Sequence, residues 1–260
     1  MDSKQHQTMQ IAEILDRAML NSQATPQLSL DYPEIGLKQA YQIQAAGIEK
    51  RMSRNEKLLG IKMGFTSRAK MLQMGVDDLI WGRLTSTMQL VEGGSVSLKR
   101  FIHPRIEPEI AFRLNKTLKG KVSLLEAMNA VDAIAPALEI IDSRYANFKF
   151  SLADVVADNS SSSGFVLGQW RSPKQDIGNQ AMVMEINGKP VQIGSSSAIL
   201  GNPWRSLVEA ARLAAESDIC LEAGWIVLAG AATAAHPLST GDHVCLHTSS
   251  MGQVHLHAGE

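Results

Sequence analysis

The chain has 260 residues, 45% of them apolar and 20% charged, enough to bury a sizeable core in one large domain or two modest ones. Its formal net charge of -1 gives no electrostatic reason to expect nucleic acid or an anionic membrane as a partner. No run reaches the roughly 18 to 20 apolar residues of a spanning helix, and the first residues lack the apolar core of a signal peptide, so a cytoplasmic protein is expected.

Taken in order, Met9, Ile11, Ala12, Ile14, Leu15, Ala18 and Met19 follow helical spacing and predict a first helix over 2–21. Residues 22–33 are polar and proline-bearing, which reads as a linker. A second helix is predicted over 35–55 through Ala40, Ile43, Ala46 and Ile48, and its basic end at Lys50, Arg51 and Arg54 suits a helix C-terminus. These helices form a cap, residues 1–57, beside a body over 58–260, the two acting as one cooperative unit.

The body opens on a short buried strand, 58–64, with a single charge at Lys62. A lysine in such a run is either an edge residue reaching for water or a functional cation. A helix is predicted over 66–75, capped by Ser67 and closed by Gly75; 77–84 is a loop entering a strand; and Gly93-Gly94 turns the chain into another strand at 95–98.

Residues 102–144 carry the densest chemistry. In a strand, positions i and i+2 share a face, so Glu107 and Glu109 would stand side by side. Adjacent carboxylates raise each other's pKa or demand a counter-ion. Glu139 lies in the apolar run 133–141, where a buried carboxylate also needs a partner. Three carboxylates favour a hard ion, Mg²⁺ or Mn²⁺, over zinc. The alternative is an exposed edge strand, which would tolerate Pro108 and two outward glutamates.

Further on, Leu124, Leu125, Met128 and Val131 have helical spacing behind a Ser123 cap, and four serines at 160–163 run into an apolar strand, as a linker or a ligand-facing turn. Asn187-Gly188 is a hairpin signal, Asn202-Pro203 opens a helix over 204–215, and strands follow at 225–228, 243–246 and 253–257. Of the histidines, His255 and His257 would share a strand face, with His243 and His247 across from them. No zinc spacing accompanies them, so they read as an exposed strand face. Cys220 and Cys245 have apolar neighbours and read as reduced, buried thiols. Nucleotide-binding glycine motifs and the serine-hydrolase elbow are absent.

The helical start, G-I-K-M-G-F-T-S around Lys62, E-P-E at 107–109, P-A-L-E-I-I-D-S-R around Glu139 and A-D-N-S-S-S from Ala157 together resemble the fumarylacetoacetate hydrolase superfamily. Within it the chain is similar to the branch of 2-hydroxypentadienoate hydratases and 4-oxalocrotonate decarboxylases of the meta-cleavage route for catechols, from about Tyr32 to His257. The resemblance implies an α+β fold, a mixed β-roll with an N-terminal helical cap and peripheral helices. It implies a divalent ion held by Glu107, Glu109 and Glu139, an active-site Lys62, and pocket contacts from Asn159 and Ser161. The hydratases carry P-D-F-G with an acid/base aspartate; the matching stretch here is Leu79-Ile80-Trp81-Gly82, and Ile80 cannot move a proton. That favours the decarboxylase, acting on a 2-oxo dicarboxylic acid such as 2-oxo-3-hexenedioate, with Ile80 and Trp81 in an apolar wall. Hydration of the dienol, with Asp78 as substitute acid/base, and a non-catalytic subunit of a hydratase–decarboxylase complex are the rival readings. A homo-oligomer, able to form a complex with the pathway's dienoate hydratase, is the expected assembly.

Overall fold

The computed structural model describes residues 3–67, 71–72 and 78–260. Helix α1 (Ser3–Leu20) and α3 (Leu37–Ser53) lie where their spacing places them. The segment between them is not a plain linker, because it contains a one-turn helix, α2 (Leu28–Asp31). The Asp154 carboxylate organises it, accepting from Ser29 N at 2.9 Å and Ser29 Oγ at 2.6 Å. Ile11, Leu15, Ala40 and Ile43 of the cap share one apolar cluster with Ile80, Tyr145, Val155 and Val156 of the body. Each such buried aliphatic side chain contributes about 1.5–3 kcal/mol, so the cap is bound to the body by a core of its own.

In the body, β1 (Leu58–Gly64), β2 (Ile80–Thr85), β3 (Gln89–Leu90) and β4 (Ser95–Ser97) precede the long β5 (Arg105–Leu114). The helix predicted over 66–75 falls mostly outside the described residues; Met71 and Leu72 are helical, and Met71 N donates to Ser67 O at 3.0 Å. Next come α4 (Leu124–Asn129), β6 (Val131–Ile141), α5 (Leu152–Ala157), β7 (Ser162–Leu167) and the hairpin β8 (Ala181–Ile186) to β9 (Lys189–Ser195). The hairpin turns at Asn187 and Gly188 with φ of 54° and 76°, the left-handed pair that this turn requires. Helix α6 (Pro203–Ala215), capped by the Asn202 side chain, leads to β10 (Ile226–Leu228), β11 (His236–Pro237), β12 (His243–Thr248) and β13 (Gly252–Gly259). Helix α4 exists for a different reason than its apolar spacing suggests. Leu125 is 69% exposed, and the helix rests on a reciprocal Ser123–Glu126 capping box.

The strands form an eight-stranded mixed sheet, ordered β2-β1-β10-β5-β6-β7-β3 with β11 also on β5, and a five-stranded sheet, ordered β4-β13-β12-β8-β9. This is the α+β roll with helical cap and peripheral helices expected from the resemblance. Ile106, Ile110 and Phe112 of β5 and Ile134, Leu138 and Ile140 of β6 join Met184, Leu246 and Val254 of the second sheet and Leu207 of α6 in the main core. The alternate positions of β5 and β6 therefore face the other way, and the glutamates are among them. Strand β5 lies between β10 and β6, so the exposed-edge reading of its glutamates does not hold.

Candidate metal centre and active site

Register brings the site together. Glu107 stands opposite Glu139 and Glu109 opposite Ala137 in the β5–β6 pair, while Ala111 pairs with Leu228 of β10, which pairs with Lys62 of β1. Paired residues share a face, so Lys62 and all three glutamates project from the same side of the sheet. Like charges directly opposite each other destabilise a sheet unless a counter-charge meets them. Carboxylate oxygens of Glu107, Glu109 and Glu139 all lie within 4.8 Å of one another, and all three residues are buried.

Lys62, 4% exposed, is no edge residue. Its Nζ donates to Ser160 O at 3.2 Å and lies 3.0 Å from Glu139 Oε2, an ion pair by distance although off the hydrogen-bond axis. Ser162 Oγ donates to Glu139 Oε1 at 3.0 Å, and Gly230 N donates to Glu109 Oε2 at 2.8 Å. Gly230 has φ of +106°, and a Cβ there would come within 2.2 Å of Thr66 Oγ1, so a side chain cannot be added without moving the loop that holds Glu109.

Burial, reinforced by the Glu139 charge, holds the Glu109 carboxyl well above the usual carboxylate range, with Lys62 opposing. For Lys62, burial works against the charge, but Glu139, Glu107 and Glu109 outweigh it and raise the ammonium above its ordinary value. Glu109 Oε1 is buried with no hydrogen-bond partner. An orphaned oxygen in an all-carboxylate set, with one ammonium against three acids, fits a hard divalent cation such as Mg²⁺ or Mn²⁺.

Beside Lys62 and Glu107 opens a cavity of about 460 Å³, walled by Ile80, Ile141, Phe148, Phe150 and Val155 and carrying the Ser161 side chain. Ser161 Oγ is buried there without a partner. The turn that presents it holds Asn159, Ser160 and Ser161 at φ of 50°, 52° and 60°, a strained left-handed run that persists because its surroundings fix it. The serine stretch is therefore a structured turn leading into β7.

Two predicted pocket residues lie elsewhere. Asn159 spends its side chain on β2, accepting from Arg83 N at 2.7 Å and donating to Arg83 O at 2.9 Å, so it clamps the turn. Gly82 permits this approach, since a Cβ would lie 2.4 Å from Asn159 O. Trp81 is buried on the opposite face of β2 from Ile80, stacked on Tyr41 at 5.3 Å, and does not line the cavity. Asp78 does not line it either and accepts from Arg212 at 2.8 Å. The D-S-R and A-D-N motifs supply framework: Asp142 accepts from Ile102 N and His103 N at 2.8 Å each, and Arg144 forms a buried ion pair with Asp158. Sequence reasoning missed Ser160, Ser162, Gly230 and the two phenylalanine walls; of these, only the serines carried a signal, their run into a strand.

A family model described as "Fumarylacetoacetate (FAA) hydrolase C-terminal" matches residues 65–257. A 4-oxalocrotonate decarboxylase from a Pseudomonas species is 54% identical over 244 residues, covering 94% of this chain and 95% of that protein. A 2-oxo-hept-4-ene-1,7-dioate hydratase from Escherichia coli is 32% identical over 94% of this chain and 95% of its own length. Among solved structures, a 4-oxalocrotonate decarboxylase from Pseudomonas putida G7, complexed with magnesium and adipate, superposes with a TM-score of 0.95 at 37% identity, over 97% of each chain. The carboxylate-bearing roll and these matches over nearly the full length agree: the chain belongs to the fumarylacetoacetate hydrolase family.

Proposed function

We propose that the chain is a divalent-metal-dependent carboxy-lyase that converts 2-oxo-3-hexenedioate to 2-hydroxypenta-2,4-dienoate and CO₂. The observation that carries this reading is Lys62, beside the three-carboxylate cluster, facing a cavity with an apolar wall at Ile80. The full-length similarity to 4-oxalocrotonate decarboxylases supports the same substrate. Glu107, Glu109 and Glu139 would hold Mg²⁺ or Mn²⁺, which when bound supplies Lewis acidity toward a 2-oxo acid.

The chain's own groups account for the rest. When the distal carboxylate leaves as CO₂, the electrons of the broken C5–C6 bond move through the C3–C4 double bond onto the C2 oxygen, giving a dienolate that takes one proton from water to become the 2-hydroxydienoate. The Lys62 ammonium faces that developing charge, an interaction stronger in the transition state than in the ground state. Ser161 Oγ offers an unengaged hydroxyl to the substrate. Ile80, Phe148, Phe150 and Val155 keep water from the departing group and favour neutral CO₂ over carboxylate. No organic cofactor is required, because the 2-oxo acid is its own electron sink.

The geometry weighs against hydration, since Ile80 cannot transfer a proton and Asp78 is engaged by Arg212 and does not line the cavity. An assay that follows CO₂ release and dienol hydration separately tests the assignment: release with little hydration is expected, and hydration without release would reject it. We also propose a cytoplasmic homo-oligomer, its cap and roll folding as one unit, that associates with the hydratase consuming its product; co-elution of the two proteins is the check. Among the described residues, no helix is long and apolar enough to cross a membrane.

A further inference from the structure

Among the described residues the other buried arginine, Arg144, and the half-buried Arg51 are both paired with acids. Arg144 meets Asp158, and Arg51 meets Glu56 at 2.9 Å. Arg83 is the exception. It is 6% exposed, its guanidinium lies 4.6 Å from the centroid of the Trp81 ring, and one nitrogen, Nη1, donates to Gln44 Oε1 at 2.5 Å. Among the described residues no carboxylate forms an ion pair with it, Glu49 acting only through its charge, and the Gln44 bond is the one side-chain hydrogen bond of its guanidinium to the protein. Burial lowers its pKa to about 10, so it keeps its charge at neutral pH. A buried cation is costly, and here the Gln44 hydrogen bond, the Trp81 ring and the Glu49 charge offset that cost only in part, because burial still outweighs them.

Arg83 lines a cavity of about 510 Å³ enclosed by α3, β2, the start of α5 and the end of α6. That volume is typical of a small-molecule site. Its body is apolar and aromatic, with Tyr41 stacked on Trp81 and Leu79 and Leu213 nearby. At the rim, Lys38 adds a second positive charge. Asp78 and Glu216 are both bonded to Arg212, at 2.8 Å each, which leaves Asp218 as the lining acid outside that group.

We propose that this cavity is a second ligand site, distinct from the one beneath Lys62, and that it takes a small organic acid with a flat apolar body. The ligand's carboxylate would complete Arg83, whose planar fork suits bidentate pairing, and its body would lie against Tyr41, Leu79 and Leu213. Ile80 lines both cavities, so an occupant here touches the strand that also walls the active site.

The test is a calorimetric titration of the Mg²⁺-loaded full-length protein with benzoate, with thermal unfolding recorded for every variant. Saturable binding is expected. Arg83→Gln should weaken it by about tenfold or more, the loss of one charged hydrogen-bonded pair. Ala45→Trp, which fills the cavity from α3 and keeps Arg83, should abolish it even if Arg83→Gln proves too unstable to read. Lys62→Met should leave it unchanged. The proposal is overturned if no saturable binding occurs up to about 10 mM, beyond ordinary ligand affinities. It is equally overturned if Lys62→Met removes the binding while Ala45→Trp retains it.

Discussion

Among the described residues two sheet faces gather metal-ligating residue types, and one of them brings three within reach of a single ion. On the large sheet, Glu107, Glu109 and Glu139 are buried and converge within 4.8 Å. On the five-stranded sheet, His243, Cys245 and His247 of β12 face His255 and His257 of β13, and Glu185 of β8 lies opposite Cys245. Those groups form a string. Cys245 Sγ is 3.2 Å from His247 Nε2 and 3.8 Å from His255 Nε2, His247 lies 3.3 Å from Glu185, and His243 stacks on His257 at 4.3 Å. Burial, with the Glu185 charge, pushes the Cys245 thiol up to about 11, so it stays protonated near neutral pH. Among the described residues, the glutamates alone bring three ligand atoms together. Residue type and strand spacing are alike on the two faces; depth and convergence are not.

The largest effect expected on this contrast is from metal removal. A chelator should abolish decarboxylation reversibly, with Mg²⁺ or Mn²⁺ restoring it, whereas rescue by zinc alone would move attention to the histidine face. Lys62→Met comes next. The change keeps side-chain length, so the fold should persist, while kcat falls by about 10²–10³-fold, the scale seen on losing one donor to a developing oxyanion. Steady-state kinetics with a circular dichroism control would read it.

Removing an orienting group should cost less than removing a ligand. Ser162→Ala deletes the donor to Glu139 Oε1 and should lower metal affinity about 10–100-fold, measurable by Mn²⁺ titration. Proton competition offers a milder probe of the same site. Because the metal-free Glu109 carboxyl titrates above its ordinary range, it holds its proton as pH falls, and an incoming cation must displace it. Apparent Mg²⁺ affinity should therefore rise with pH, and binding should release protons to the buffer, detectable by calorimetry in buffers of different ionisation enthalpy. The smallest effect belongs to the other face: His247→Gln and His255→Gln should leave activity intact and shift stability by no more than about 0.5 kcal/mol.

Much of the carboxylate face was legible in the sequence. The shared face of Glu107 and Glu109 follows from strand periodicity alone, and the apolar run around Glu139 announces its burial. What periodicity cannot supply is register between distant segments. The pairing of Glu107 with Glu139, and the reach of Lys62 from two strands away, exist only once β1, β10, β5 and β6 are adjacent. The differences in placement have the same origin. Alternation says that Ile80 and Trp81 face opposite ways but not which of them meets the cavity, and Asn159 reads as a ligand contact until the backbone of Arg83 is found against it. Gly230 gave no signal, since its value lies in one backbone N–H aimed at Glu109.

The claim that this register makes the metal centre is tested most directly by calorimetric titration of Mg²⁺ into the wild-type protein and into Glu109→Gln, which keeps the side chain's shape and removes its charge. Wild type should show one saturable site with proton release, and the variant should lose most of that affinity together with its activity while remaining folded. Unchanged Mg²⁺ affinity in Glu109→Gln, with activity preserved, would contradict the assignment.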